Sequence, residues 1–379
     1  MRLAYTTTFD ATNAHEWSGT PFHMSHALCE AQIDLQHIGS LKRKLPPFFK
    51  AKQIWRKYFS HVRESPRFNI TAAQHYSKQI EARLKTLTVD AVLSPLINPI
   101  AYLECKQPII LWTDAVYAAL VGFYPAFAHH SAHTIQQGNA ITSACLQRVK
   151  LAIFSSDWAR RSAIEFYGIH PDKTKTILYG ANLKTAPTRE TIQTAITRRS
   201  HHTIQLLFLA KSWERKGGEK AVAVTRALHQ AGIAVVLNIV GCTPSLLKPE
   251  PYIHCLGFIS KKTEIGKNRL AQLLYDSHFL FLPAISDACP MVLAEANAFG
   301  LPCLTSNVGG ITSVIKNEIN GIIFPLDTPI EQYCTVIVNL CAQRKQYEAL
   351  ALSAYNEYCT RLNWPAAIQQ FKQAVKEVL

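Results

Sequence analysis

The chain has 379 residues, 48% of them hydrophobic and 17% charged, with only 16 Gly and 19 Pro. That composition excludes disorder, a collagen-like fibre and a small disulfide-stapled scaffold, and at roughly 150 residues per domain it implies two domains. Forty Lys and Arg against 26 Asp and Glu give a net charge of +14, shared by both halves, so the surface suits anionic small molecules, acidic lipids or nucleic acid.

In chain order, RLAYTTTF (2–9) reads as a strand and PFHMSHALCEAQ (21–32) as a helix. The stretch 41–68 follows, with nine basic residues, one acid and several aromatics. It fits an arm that touches an anionic acceptor or a membrane face, and equally a solvated loop with snorkelling lysines. Strands are expected at DAVLSP (90–95), PIILWT (108–113) and LAIFSS (151–156). Ser156 is placed to cap the helix DWARRSAIEFYG, and Gly168 to end it. Residues 184–203 are polar without apolar periodicity and read as a linker between domains 1–183 and 204–362.

The second half repeats buried-type runs that alternate with helical segments. IQLLFLA (204–210), AVVLNIVG (234–241), YIHCLGFI (252–259), HFLFLPA (278–284), PCLTS (302–306) and GIIF (321–324) read as strands. Helices are expected at 219–230, 264–276 and 290–299. Such alternation implies α/β architecture: two doubly wound, Rossmann-like parallel-sheet domains facing a cleft. Residues 363–379 read as a helix that packs on the first domain.

Ten cysteines without a C-x-x-C pair point to reduced thiols rather than a zinc site or disulfide framework. The N-terminus lacks a signal-peptide pattern, and no run nears ~20 apolar residues, so a cytoplasmic protein is expected.

The chemistry concentrates in two stretches. In FLPAISDACPMVLAEANAFGLPCLTSNVGG (281–310) a loop carries Asp287, and Pro290 sits where the first helical residue is expected. The N–H groups of Met291 and Val292, beside Cys289, then point out of a helix N-terminus that favours a diphosphate. Glu295 lies about one turn further in. In LFLAKSWERKGGEKA (207–221) a buried run leads into Lys211, Arg215, Lys216 and Gly217-Gly218, cations and close-approach glycines fit to clamp a diphosphate. Read singly, the first stretch also fits a helix cap with a solvated face, and the second a solvated basic loop.

Together they resemble the nucleotide-sugar-binding domain of retaining GT-B glycosyltransferases of the group 1, or family 4, class. The E-x7-E signature of that family appears as Asp287-x7-Glu295, and its Arg–Lys pair as Lys211 and Lys216. Gly309-Gly310 and NGIIF (320–324) match downstream, and IFSSDWARRSAIEFYG with ILYGAN (153–182) more thinly. The resemblance implies a metal-independent hexosyltransferase. Lys211, Arg215 and Lys216 would neutralise the donor diphosphate, Glu295 would hold the ribose and Asp287 the transferred sugar. Backbone near Phe258 and Ile259 would meet the base, and Gly19 in WSGTPF would approach the diphosphate. The acceptor hydroxyl would attack from the face the leaving group departs, with retention and no protein nucleophile.

The sequence departs from the pattern at Asp287, one methylene shorter than Glu, at Pro290 for a common Gly, and in the first-domain His. Asp114 in LWTDAVY stands near that last position, with His129, His130 and His133 as other candidates. No D-x-D occurs, so no metal or other cofactor is expected. The expected partners are a nucleotide-sugar donor, a glycan or lipid-linked acceptor and an anionic inner membrane face touched through 41–68. The alternatives are a GT-B sugar-nucleotide epimerase and a basic nucleic-acid-binding α/β protein. Against the second stand the absence of RNP-type and helix-turn-helix signatures and the even spread of charge.

Overall fold

A computed structural model describes residues 1–14, 16–49, 53–55, 62–244 and 250–378. The chain divides into two units, one of residues 1–182 with 364–379, the other of residues 183–363.

The first unit is built on six parallel strands: β1 (Arg2–Thr6), β2 (Asp34–Ile38), β3 (Ala91–Ser94), β4 (Ile109–Thr113), β5 (Leu151–Phe154) and β6 (Thr174–Thr176). Their order is β2-β1-β3-β4-β5-β6. The central strands β3, β4 and β5 are buried at every residue, as a sheet covered by helices on both faces requires. Ser156 caps the helix Asp157–Tyr167 by accepting from the Ala159 N–H, and Gly168 ends it in the left-handed conformation at φ 63°. Several elements here had no expectation, among them β2, β6 and the helices Ile70–Leu84, Tyr117–Leu120 and Ala132–Arg148. β2 and β6 are edge strands and mostly polar, so their sequences lack a buried-strand pattern.

The second unit has β7 (Ile204–Leu209), β8 (Val235–Val240), β9 (Ile253–Cys255), β10 (Phe279–Leu282), β11 (Cys303–Ser306) and β12 (Gly321–Phe324). They form a parallel sheet in the order β12-β11-β10-β7-β8-β9. The order reverses between β7 and β10, and the carboxyl ends of the strands at such a reversal are where doubly wound sheets bind their ligands. This is the switch point of a doubly wound fold, and both chemistry-bearing stretches leave from it.

Two expectations need correction. Residues 184–203 are no linker: they belong to the second unit, and Arg189–Arg198 is a helix capped by Thr188. Only Ile192 and Ile196 mark its buried face, and the residue after it is a buried arginine. Arg199 donates to the carbonyls of Tyr275, Phe299 and Gly300 and to the Tyr347 hydroxyl at 2.8–3.0 Å. A side chain that reads as solvated thus anchors the element. Pro290, placed inside its helix by the sequence, stands one residue outside as N-cap of Met291–Ala298.

The helix Trp364–Lys376 belongs to the first unit. Phe371 stacks on Trp112 of β4 at 5.3 Å, and Trp364 donates from Nε1 to Asn182.

Candidate functional site

The loop after β7 is a compact turn. The Lys216 N–H donates to the Ser212 carbonyl, and Gly217 and Gly218 donate to Glu214 and Trp213. Gly217 adopts φ 76°, and a Cβ there would lie 1.9 Å from the Pro283 carbonyl oxygen at the end of β10. The loop after β7 therefore presses on the loop after β10 as only glycine allows. Two more bonds join them: the Ile285 N–H to the Arg215 carbonyl at 2.9 Å, and Arg215 Nη1 to the Ser286 carbonyl at 2.8 Å.

These contacts bring together residues 71 positions apart in sequence. Lys216 Nζ is hydrogen-bonded to the Asp287 carboxylate, with Arg215 Nη1 3.7 Å from the same oxygen. Both partners are buried, Asp287 to 4% exposure. Burial, reinforced by the Arg215 guanidinium, pulls the Lys216 ammonium down to about 7, and Cys289 opposes. The Asp287 carboxylate in contact also favours the charged form. Asp287 is fixed from its backbone too, since its carbonyl accepts from the Gly310 N–H at 2.9 Å.

Pro290, and not Asp287, is the N-cap residue of the helix Met291–Ala298. That helix has no side-chain cap, so the Met291 and Val292 N–H groups keep the partial positive charge of a helix N-terminus. Glu295, 6% exposed, lies on the same helix and takes Lys261 Nζ on both oxygens, at 2.9 and 2.8 Å. Lys261 escaped the sequence reading. It belongs to a lysine pair after β9, and no spacing ties it to Glu295. Asn297 was missed as well: it binds Asn320 Nδ2 at 2.6 Å and so ties this helix to the Asn-Gly turn before β12.

Of the other second-unit candidates, Lys211 is exposed at the start of its loop and Cys289 is half-buried. Beyond β9, Gly257 takes φ 64° and its carbonyl accepts from Gly241 at the end of β8. The loop then leaves Phe258 71% exposed and tucks Ile259 in.

In the first unit Gly19, at φ 81°, is the N-cap of the helix Thr20–Glu30, and a Cβ there would lie 2.9 Å from the Ala14 carbonyl oxygen. The Asn182 amide steadies it by donating to the Ser18 carbonyl and the Thr20 hydroxyl. Asp114 follows β4 directly and is half-buried. Burial pushes its carboxyl up to about 6, with the Arg67 charge opposing. His130 bonds the Tyr117 hydroxyl at 2.8 Å, and His133 stands 3.6 Å from buried Glu64. Among the described residues no group of three or more His, Cys, Asp or Glu side chains could hold a metal ion.

Residues 191–356 match the family model of glycosyl transferases group 1. This stretch is a group 1 glycosyltransferase domain. It spans nearly the whole second unit and contains Lys211, Lys216, Asp287 and Glu295. The group 1 domain has curated relatives of the same class. One is the UDP-Gal:alpha-D-GlcNAc-diphosphoundecaprenol alpha-1,3-galactosyltransferase of Escherichia coli, 30% identical over 20% of this chain and 19% of that protein. Another is the D-inositol 3-phosphate glycosyltransferase of Xylanimonas cellulosilytica, 24% identical over 56% and 54%. The chain thus spans about half or less of the curated relatives it matches.

Among solved structures, sucrose-phosphate synthase from Thermosynechococcus elongatus aligns with a TM-score of 0.71 at 14% identity, covering 100% of this chain and 98% of that one. Anabaena HepE in complex with UDP aligns at 0.64 with 13% identity, covering 100% of both chains. The group 1 glycosyltransferase domain and the first unit together therefore have the GT-B fold, two Rossmann-like parallel-sheet units.

Proposed function

We propose that the protein is a retaining glycosyltransferase that moves a sugar from a nucleotide-diphosphate sugar to an acceptor hydroxyl without a metal ion. One observation carries the reading: the switch point between β7 and β10 joins a buried lysine, a neighbouring arginine and an aspartate beside an uncapped helix N-terminus. The structural likeness includes HepE complexes with UDP and with UDP-glucose, which supports a nucleotide-sugar donor.

In this reading Lys216 is held by Asp287 until a donor arrives. The diphosphate, with more charge than a carboxylate, takes Lys216, with Arg215 and Lys211 adding charge and Met291 and Val292 donating N–H groups. Asp287 then turns to hydroxyls of the transferred sugar, Glu295 accepts from the ribose, and backbone near Phe258 and Ile259 meets the base. In the first unit Gly19 would lie against the diphosphate and Asp114 would serve the sugar or the acceptor hydroxyl.

The acceptor is a glycan or lipid-linked hydroxyl, and the protein works in the cytoplasm with peripheral contact to an anionic membrane through 41–68. Residues 50–52 and 56–61 of that stretch lie outside the described residues. Phe48, Ile54 and Trp55 are 86, 58 and 60% exposed, which supports the contact. No helix among the described residues is long and apolar enough to cross a membrane.

Transfer is expected to persist in EDTA, because fixed cations and helix N–H groups neutralise the leaving diphosphate. Activity lost in EDTA and restored by magnesium or manganese overturns the metal-free reading.

The two carboxylates separate by ligand. The ribose is present in both donor and free nucleotide, so Glu295→Gln should weaken both by similar factors, about 1.5–3 kcal/mol for a charge-assisted hydrogen bond. Asp287→Asn should spare the free nucleotide and lower donor affinity, turnover or both. Calorimetry with the nucleotide and with a non-hydrolysable donor analogue makes the comparison. Equal weakening of both ligands by Asp287→Asn removes Asp287 from the sugar.

A further inference from the structure

At the amino ends of β4, β5 and β6, the end of the first sheet opposite Asp114, lies a groove of about 790 Å³. Four cations line it: Lys106 before β4, Arg148 and Lys150 before β5, and Lys173 before β6. Glu104 is the one carboxylate in its lining. A smaller cavity of about 310 Å³ adjoins it through Gln147 and Lys173.

Other acids lie nearby, Glu81 accepting from the Glu104 N–H at 3.0 Å. Glu377 pairs with Lys175 at 3.1 Å, and Asp172 stands 3.5 Å from His170. Among the described residues none of the four lining cations has an ion-pair partner. Arg148 has local roles, over the Tyr102 ring and in the last turn of its helix, where its charge complements the dipole. Lys106 and Lys150 have no such role, and Lys173 ends only the single turn Pro171–Lys173. Lys106, Lys150 and Lys173 reach the groove from three separate loops, and a multivalent anion lying in it can bond to several of them at once.

We propose that this groove binds a phosphate-bearing ligand with at least two phosphate charges, at a site separate from the nucleotide-sugar site. A soluble phosphate ester and an anionic lipid headgroup share that chemistry. The assignment does not depend on the transfer reaction, since no residue of the second unit enters it.

Hydrogen exchange of the full chain locates the binding. Inorganic pyrophosphate is one probe, and vesicles of phosphatidylglycerol in phosphatidylcholine, against pure phosphatidylcholine, are the other. Amides in 103–107 and 147–150 are expected to slow with at least one probe. Lys150→Glu combined with Lys173→Glu should abolish the slowing, weaken the probe about tenfold or more, and leave the melting temperature unchanged because both side chains are exposed. Slowing with pyrophosphate identifies a soluble ester, and slowing with acidic vesicles alone identifies a headgroup. No slowing with either probe, or slowing that survives the double variant, overturns the proposal.

Discussion

Lys216→Ala is expected to lower transfer by about a hundredfold or more, the effect of removing one preorganised charge from a developing oxyanion. The same variant should lose stability, contrary to what an exposed basic loop would predict. Lys216 is buried against Asp287, and its removal leaves a carboxylate at 4% exposure without its ammonium, Arg215 standing 3.7 Å away. Stripping one partner from a buried pair costs about 3–5 kcal/mol, and the residual guanidinium places this case at the lower end. Combining Lys216→Ala with Asp287→Ala removes the stranded charge, so most of the stability returns while transfer does not. Thermal melts and initial rates on the single and double variants give the test. A single variant with wild-type rates takes the diphosphate clamp out of the argument.

Gly217→Ala is the second large effect. A side chain at φ 76° costs about 1–2 kcal/mol on its own. Here the added carbon would also meet the Pro283 carbonyl oxygen at 1.9 Å, backbone that cannot rotate away. A loss of about 3–5 kcal/mol is expected, or ~6–20 °C in the melting temperature of a unit this size. Gly232→Ala is the matched control, since it shares a positive φ of 77° and has nothing within 4 Å. It should cost only the conformational part. If the two variants melt together, the close approach of the loops after β7 and β10 is not what holds the site.

Both effects arise where sequence and structure inform differently. The β7 and β10 strands were legible because parallel strands covered on both faces need uninterrupted apolar runs, which LLFL and FLFL supply. Lys216 and Asp287 were legible as separate signals, a cation before a glycine pair and an acid before a proline. Their partnership was not, because it depends on which strands become neighbours, and the two lie 71 residues apart in the chain. Lys261 on Glu295 shows the same limit. An ion pair between a loop and a helix 34 residues on leaves no periodicity to read. The helix Arg189–Arg198 failed for another reason, since its anchoring comes from a buried arginine whose hydrogen bonds go to distant carbonyls. The edge strands β2 and β6 failed because polar sequences pair as well as apolar ones where one side of the ladder meets water.

The return of the chain to the first unit sets the order in which the protein is completed during synthesis. The second unit is one uninterrupted stretch, whereas the first consists of residues 1–182 and a piece added after residue 363. Until that piece leaves the ribosome, Trp112 lacks the Phe371 ring that stacks on it, and Asn182 lacks the indole that holds it beside the Gly19 turn. The amino-terminal half therefore waits, with an aromatic face of its sheet uncovered, while the later-made unit can already close its own core.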